Sequence, residues 1–266
     1  MRKIVLLCAA FFVGTLSASA WSSVFDKTAL LVASQNYNEV TKELVVHYVS
    51  GDFTRPAGYL AMCRNNGRMS ESKGWHRLHL DSNLQPAAKD ENDAYVQIEK
   101  ALEVVRNHKE HKKADVGVAI QTVMNLVIDM HNIANVTLDA HPKSAADFQV
   151  STSRGSANGR KPKIWQQSWR DLWTHRFATH RGAYSPQMYA EDLAIMFADK
   201  RVEYMAGTLR DWATDIGKYT SSVYEIVERN DNNFHHATVQ AHEELHMSCV
   251  ARAGLRIAAL LNENLK

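Results

Sequence analysis

Apolar residues recur at helical spacing over almost the whole of this 266-residue chain, and that rhythm constrains its fold more than any other feature. Residues 114–136 place Val116, Ile120, Val123, Val127 and Ala134 on one face. Residues 92–111 repeat Tyr95, Ile98, Leu102 and Val105, and residues 22–37 carry Val24, Phe25, Leu30, Leu31 and Val32 in the same rhythm. Residues 164–179, 186–230 and 234–263 read alike. Glycine and proline are sparse and gather in connections. The clearest connection is Ser151 to Lys163 (STSRGSANGRKPK), a basic loop; residues 51–58 and 66–74 are shorter ones. Strand signals are weak everywhere, and no repeat or shift of composition marks a boundary. The expectation is a single all-α domain.

The first twenty residues stand apart from that domain. Arg2 and Lys3 precede the apolar run IVLLCAAFFVG, and Ala18-Ser19-Ala20 supplies small residues at an A-x-A site. This is the pattern of a secretory signal peptide over 1–20, and the run is short for a membrane span. Cleavage after Ala20 would make Trp21 the first residue of a mature domain over 21–266. No second membrane-spanning candidate follows, so the expected location is secreted or periplasmic.

The leader carries two basic residues and no acid, so the mature chain is close to neutral. That argues against gripping duplex nucleic acid through a broadly basic face. Two mature cysteines, Cys63 and Cys249, could pair in an oxidising compartment or remain buried thiols. Thirteen histidines are many for this length and direct attention to metal.

Two histidine clusters compete. His242-Glu-Glu-Leu-His246 fits H-E-x-x-H, in which one helix face presents two zinc ligands and a glutamate base. A third ligand is needed further on, and Glu263 is the only acid downstream. No convincing strand precedes the motif to bind a substrate backbone, so a metalloprotease is a remote alternative. In the second cluster, His131 and Asn135 lie four apart and share a helix face, and His141 follows a helix end before Pro142. These three could converge on a metal, or simply close a polar helix end.

At this point the chain resembles the S1/P1 nuclease family, zinc-dependent single-strand nucleases with the phospholipase C/P1 nuclease-like fold. The opening WSSVFDKTALLVASQNY resembles the family's first helix, and ARAGLRIAALLN resembles its last. NLVIDMHNIANVTLDAH keeps the H-x3-D-x5-H spacing of the central metal motif, with asparagine at the aspartate. SWRDLWTH and Gly74-Trp75-His76 resemble two further ligand segments. Under this resemblance the H-E-x-x-H match belongs to a helix that supplies no zinc ligand.

The resemblance implies three zinc ions held by nine residues, and this sequence keeps part of that set. Trp21 stands at the amino-terminal ligand, Asp26 replaces a histidine, and His76, His131 and His141 are retained. Asn135 replaces the carboxylate that bridges two metals, and a neutral amide gives up the charge that offsets repulsion between dications. Ala61, Arg170 and Thr174 fall where ligands are lost. The expectation is therefore fewer than three zinc ions, down to none. His79, three residues from His76, could supply a replacement ligand. Arg170 would bring positive charge where the family binds a metal, either closing the site as an ion pair, with Asp26 to neutralise it, or binding a phosphate.

Two functions follow. One is a zinc-dependent phosphodiester hydrolase acting on single-stranded nucleic acid or 3′-nucleotides, with reduced or altered activity. The other is a non-catalytic binding protein on the same fold, in which the basic loop and the tryptophans Trp165, Trp169 and Trp173 could contact a nucleotide or a protein; the three share one helical stripe, and a core stripe is the more common meaning.

Overall fold

A computed structural model describes residues 22–87, 91–141, 148–154, 163–176, 184–229, 233–235 and 242–266. The segment expected to be a signal peptide (residues 1–20), Trp21 and residues 155–162 of the expected basic loop lie outside the described residues. The described part is mostly helical, as the apolar rhythm predicts.

In chain order the helices begin with α1 (Ser23–Ser34), α2 (Glu39–Tyr48) and α3 (Tyr59–Asn65). Then come α4 (Ala94–Arg106), α5 (Lys113–His131) and α6 (Trp169–Asp171), which runs into a π-helical turn, Leu172–Arg176. The chain continues through α7 (Pro186–Met196), α8 (Arg201–Met205), α9 (Leu209–Arg229) and α10 (Glu243–Asn264). Local chemistry marks several starts. Asn38 accepts the amide of Thr41 at α2, Asp93 accepts that of Tyr95 at α4, and Ser185 accepts that of Met188 before Pro186.

Helices α5 and α10 form the interior. From Thr122 to His131 every residue of α5 is buried, and α10 is buried from His246 to Ala258. A helix buried on all sides must be surrounded, and α4, α1 and α7 supply the surround: α4 packs on α5, and α10 and α7 pack on α1. The contact between α10 and α1 is close because Gly254 has no side chain. A Cβ there would lie 2.5 Å from the Ala29 carbonyl oxygen and 2.6 Å from Cβ of Val32.

Among the described residues, five short strands accompany the helices, where the sequence carried only weak strand signals. Strands β1 (Leu78–Leu80) and β2 (Val136–Leu138) pair in parallel, with Leu78 opposite Val136 and Leu80 opposite Leu138. Strands β3 (Gln149–Arg154) and β4 (Lys163–Ser168) pair antiparallel, and β5 (Asn233–His235) adds in parallel to β3. The predicted loop from Ser151 therefore begins as strand, and the predicted helix from 164 begins as strand as well. The pleat buries Val150 and Thr152 on one face of β3, an alternation that its serines and threonine disguise as loop. The expected helix over 186–230 is divided into three, and Gly207, at φ +96°, makes the break before α9.

Replacing Gly254 with alanine should lower stability despite alanine's better helix propensity. The methyl group meets backbone, which cannot rotate away, so a loss of about 1–3 kcal/mol is expected in urea unfolding.

Candidate functional site

The β1–β2 pair brings the segments of three sequence-predicted ligands towards the end of α5. His76 enters β1, Asn135 enters β2, and His131 closes α5. Pairing in parallel sets the segment of His76 beside the end of α5, although 53 residues separate His76 from Asp129.

There the histidines are bound by arginines. His76 is buried; its Nδ1 is hydrogen-bonded to Asp129 Oδ2 and its Nε2 lies 2.6 Å from Arg64 Nη1. A guanidinium only donates, so Nε2 accepts and Nδ1–H donates to the carboxylate. His131 is fully buried and repeats the arrangement. Its Nδ1–H donates to the Val127 carbonyl at 2.7 Å, and its Nε2 accepts from Arg256 Nη1 at 2.9 Å. In both rings the lone pair that a metal would use is occupied by a guanidinium. Burial, and then the Arg256 charge, hold His131 well below the usual imidazole range.

Arg256 is itself satisfied on three sides. It donates to His131, to the Tyr204 carbonyl at 3.2 Å and to Asp215 Oδ2 at 3.1 Å, and it lies 5.2 Å from the Trp212 ring centre. Burial and the neighbouring Arg252 bring its pKa down to about 10. Arg252 lies over the Tyr204 ring at 3.9 Å and donates to the Tyr219 hydroxyl at 2.8 Å. Neither arginine was singled out from the sequence; only their recurrence one turn apart in ARAGLR could have flagged them.

The other predicted ligands separate. Asn135 is buried and its amide donates to the Asp129 carbonyl at 3.3 Å, tying the turn after α5 to the helix end. His141 pairs with Glu228 at 3.1 Å and packs edge-on against Tyr224. His79, proposed as a replacement ligand beside His76, points outward on β1 and pairs with Asp139 at 2.8 Å. Ala61 lies on α3 without a donor, and the Thr174 hydroxyl donates to the Arg170 carbonyl at 2.6 Å. Asp26 is buried on α1. Among the described residues, no three His, Cys, Asp or Glu side chains are grouped to hold a metal ion. The residues present do not fit the three-zinc cluster that the resemblance implies, because two retained histidines are saturated by arginine and the three lost positions, Ala61, Arg170 and Thr174, offer no anionic donor.

Arg170 sits at the centre of what remains. Its guanidinium is largely buried, and its Nε makes no hydrogen bond among the described residues. Burial lowers its pKa most, followed by the charge of Arg77; Asp129, Tyr224 and Asp171 act in the opposite sense. The carboxylate that most offsets Arg170 is therefore Asp129, not the expected Asp26. Arg77 leads outward to a surface cavity of about 590 Å³ lined also by Lys73, Gly74, His79, Asn92, Asp93 and Thr137. Asp93 is committed within it, accepting the amides of His79 and Tyr95 at 2.7 and 2.8 Å. Lys73 and Arg77 make no ion pair among the described residues. The cavity thus presents the positive charge of Lys73 and Arg77 to an incoming ligand, and Arg77 in turn feels the charge of Arg170.

Packing decides between the remaining alternatives. Trp165 lies on β4, whereas Trp169 and Trp173 are fully buried with ring centres 5.4 Å apart, so the three form no exposed stripe. Trp169 and Trp173 are core and present no stacking surface to a base. Cys63 and Cys249 are free and buried, so the possible disulfide is not formed. Burial pushes the Cys249 thiol up to about 12. His246 of the H-E-x-x-H match is fully buried rather than on an exposed face. Its Nε2 donates to the Trp173 carbonyl at 3.2 Å, and its ring packs on Phe25 and Trp173. In comparisons with known proteins, no family model and no curated protein matches the chain.

Two predictions follow from the buried groups. Burial holds His246 down to about 3, and His131 is shifted the same way. Unfolded histidines take up protons below about pH 6.5 while these two, folded, do not. Stability should be present in full above about 6.5 and fall as pH drops from there towards about 3. His246→Leu should reduce the slope of unfolding free energy against pH by about one proton in that window. Separately, Arg256→Met should cost about 3–5 kcal/mol in urea unfolding by stranding Asp215 and His131. Arg256→Lys should recover only part of this loss, since one ammonium cannot serve acceptors arranged for a planar fork.

Proposed function

We propose that this chain is an exported protein with an S1/P1 nuclease-like fold that binds a phosphate-bearing ligand without zinc-dependent hydrolysis. The observation that carries this reading is Arg170, a largely buried guanidinium whose Nε has no acceptor among the described residues and whose charge is felt by Arg77, one of the two cations, with Lys73, that line the surface cavity. A buried cation short of acceptors is stabilised by an anion that brings them, and planar guanidinium matches phosphate oxygens in geometry and charge. The cavity lies within the size range of small-molecule sites, about 300–1,000 Å³.

The hydrolytic reading places a zinc-bound hydroxide opposite a phosphodiester. Here the retained imidazoles of His76 and His131 accept from Arg64 and Arg256 instead. Zinc at either nitrogen would have to displace a guanidinium, and at His131 that guanidinium is buried. Positive charge at the site thus comes from arginine, which holds a phosphate but generates no nucleophile from water. The partner is a nucleotide or a short single strand, recognised through its phosphate. Among the described residues no helix is long and apolar enough to cross a membrane.

The test uses protein secreted with its own leader, so that Trp21 carries a free amine. Zinc content, cleavage of single-stranded DNA and RNA with added zinc, and calorimetric binding of a 3′-nucleotide are measured on one preparation. The expected result is no stoichiometric zinc, no chelator-sensitive cleavage, and saturable nucleotide binding weakened about tenfold or more by Arg170→Met or Arg77→Met. Two or three zinc ions with chelator-sensitive cleavage would overturn the proposal in favour of the nuclease.

A further inference from the structure

A second cavity shares no residue with the arginine site. It lies between α1, α7 and α10 and has a volume of about 320 Å³. Its floor is Val32, Leu193, Phe197, Ala251 and Leu255, each buried and apolar. Three alanines among its lining residues, Ala194, Ala198 and Ala251, leave the space that larger side chains would fill. Arg201 and the amides of Gln35 and Asn36 stand at its mouth. The Asn36 amide is committed to the Val32 carbonyl at 2.7 Å, whereas Arg201 makes no ion pair among the described residues.

We infer that this cavity binds an aliphatic monocarboxylate, with its chain on the apolar floor and its carboxylate at Arg201. The floor selects hydrocarbon because burying apolar area is favourable in proportion to the area covered. The mouth selects an anion because the one charged residue lining the cavity is a cation, and guanidinium pairs with carboxylate through two parallel hydrogen bonds. Gln35, exposed at the rim, offers a further amide donor. A cationic amphiphile would meet repulsion at Arg201, and a neutral alcohol would keep only the apolar contribution.

Decanoate, 1-decanol and decylammonium are titrated below their micelle concentrations and followed by calorimetry, on the wild type, Arg201→Glu and Ala194→Trp. Ala194 is exposed, so the tryptophan blocks the mouth without entering the core. Saturable one-site binding of decanoate is expected, at least tenfold tighter than decanol, with decylammonium weakest. Arg201→Glu should remove the preference for decanoate and leave decanol unchanged, and Ala194→Trp should weaken all binding. Absence of saturable decanoate binding, equal affinity for the three amphiphiles, or full binding to Ala194→Trp would each overturn the inference. None of these outcomes bears on nucleotide binding, which Arg170→Met and Arg77→Met report separately.

Discussion

The buried guanidinium of Arg256 holds the centre of this molecule together. It reaches from α10 to His131 at the end of α5, to Asp215 on α9 and to the backbone carbonyl of Tyr204 on α8. Four helices therefore meet on one side chain that is 1% exposed. A buried charge is tolerated only when its donors are matched by acceptors, and the acceptors come from distant parts of the chain. The position of His131, the tilt of α9 against α5 and the placement of β2 after the turn at Asn135 all depend on that match. Arg252, one turn earlier, adds a second cation held chiefly by the faces of Tyr204 and Tyr219.

The same chemistry explains why imidazoles at ligand-like spacing need not form a metal site. A histidine binds zinc through a lone pair, and the lone pairs of His76 and His131 are spent on Arg64 and Arg256. Guanidinium resembles a metal ion in charge and differs from it in valence and reach. It satisfies one imidazole and one or two further acceptors in a plane, whereas zinc gathers four donors in a tetrahedron. A pocket arranged around guanidinium groups is suited to an anionic ligand and poorly suited to activating water. Arg170 is a further largely buried guanidinium, whose charge acts on Arg77, and Arg77 and Lys73 line the surface cavity.

The helical part of the fold was legible from the sequence because helix burial has a local period. The α5 stripe from Val116 to Val127 is written within a dozen residues. The strands were not legible for the opposite reason. β1 and β2 are three residues each, and β3 is built from serine and threonine as much as from valine. Such segments become strands because a partner far along the chain completes their hydrogen bonds, and no local period announces a partner. The tryptophans illustrate the same limit. Their spacing suggested one helical stripe, but the chain changes from strand to helix at Ser168, so Trp165 parts from Trp169 and Trp173.

Of the candidate site, the residue types were legible and their bonds were not. The sequence by itself determined a helical chain with a leader-like start, histidines at metal-like spacing, and an arginine at position 170 where a ligand was expected. Only the tertiary structure decided that Arg64 and Arg256 occupy the two imidazoles, that Asp129 rather than Asp26 offsets Arg170, and that His246 lies in the core. The physical reason is that a side chain's chemistry depends on which donors and acceptors surround it once water is excluded. Those neighbours come from segments dozens to hundreds of residues apart, as with His131 and Arg256, which lie 125 residues from one another.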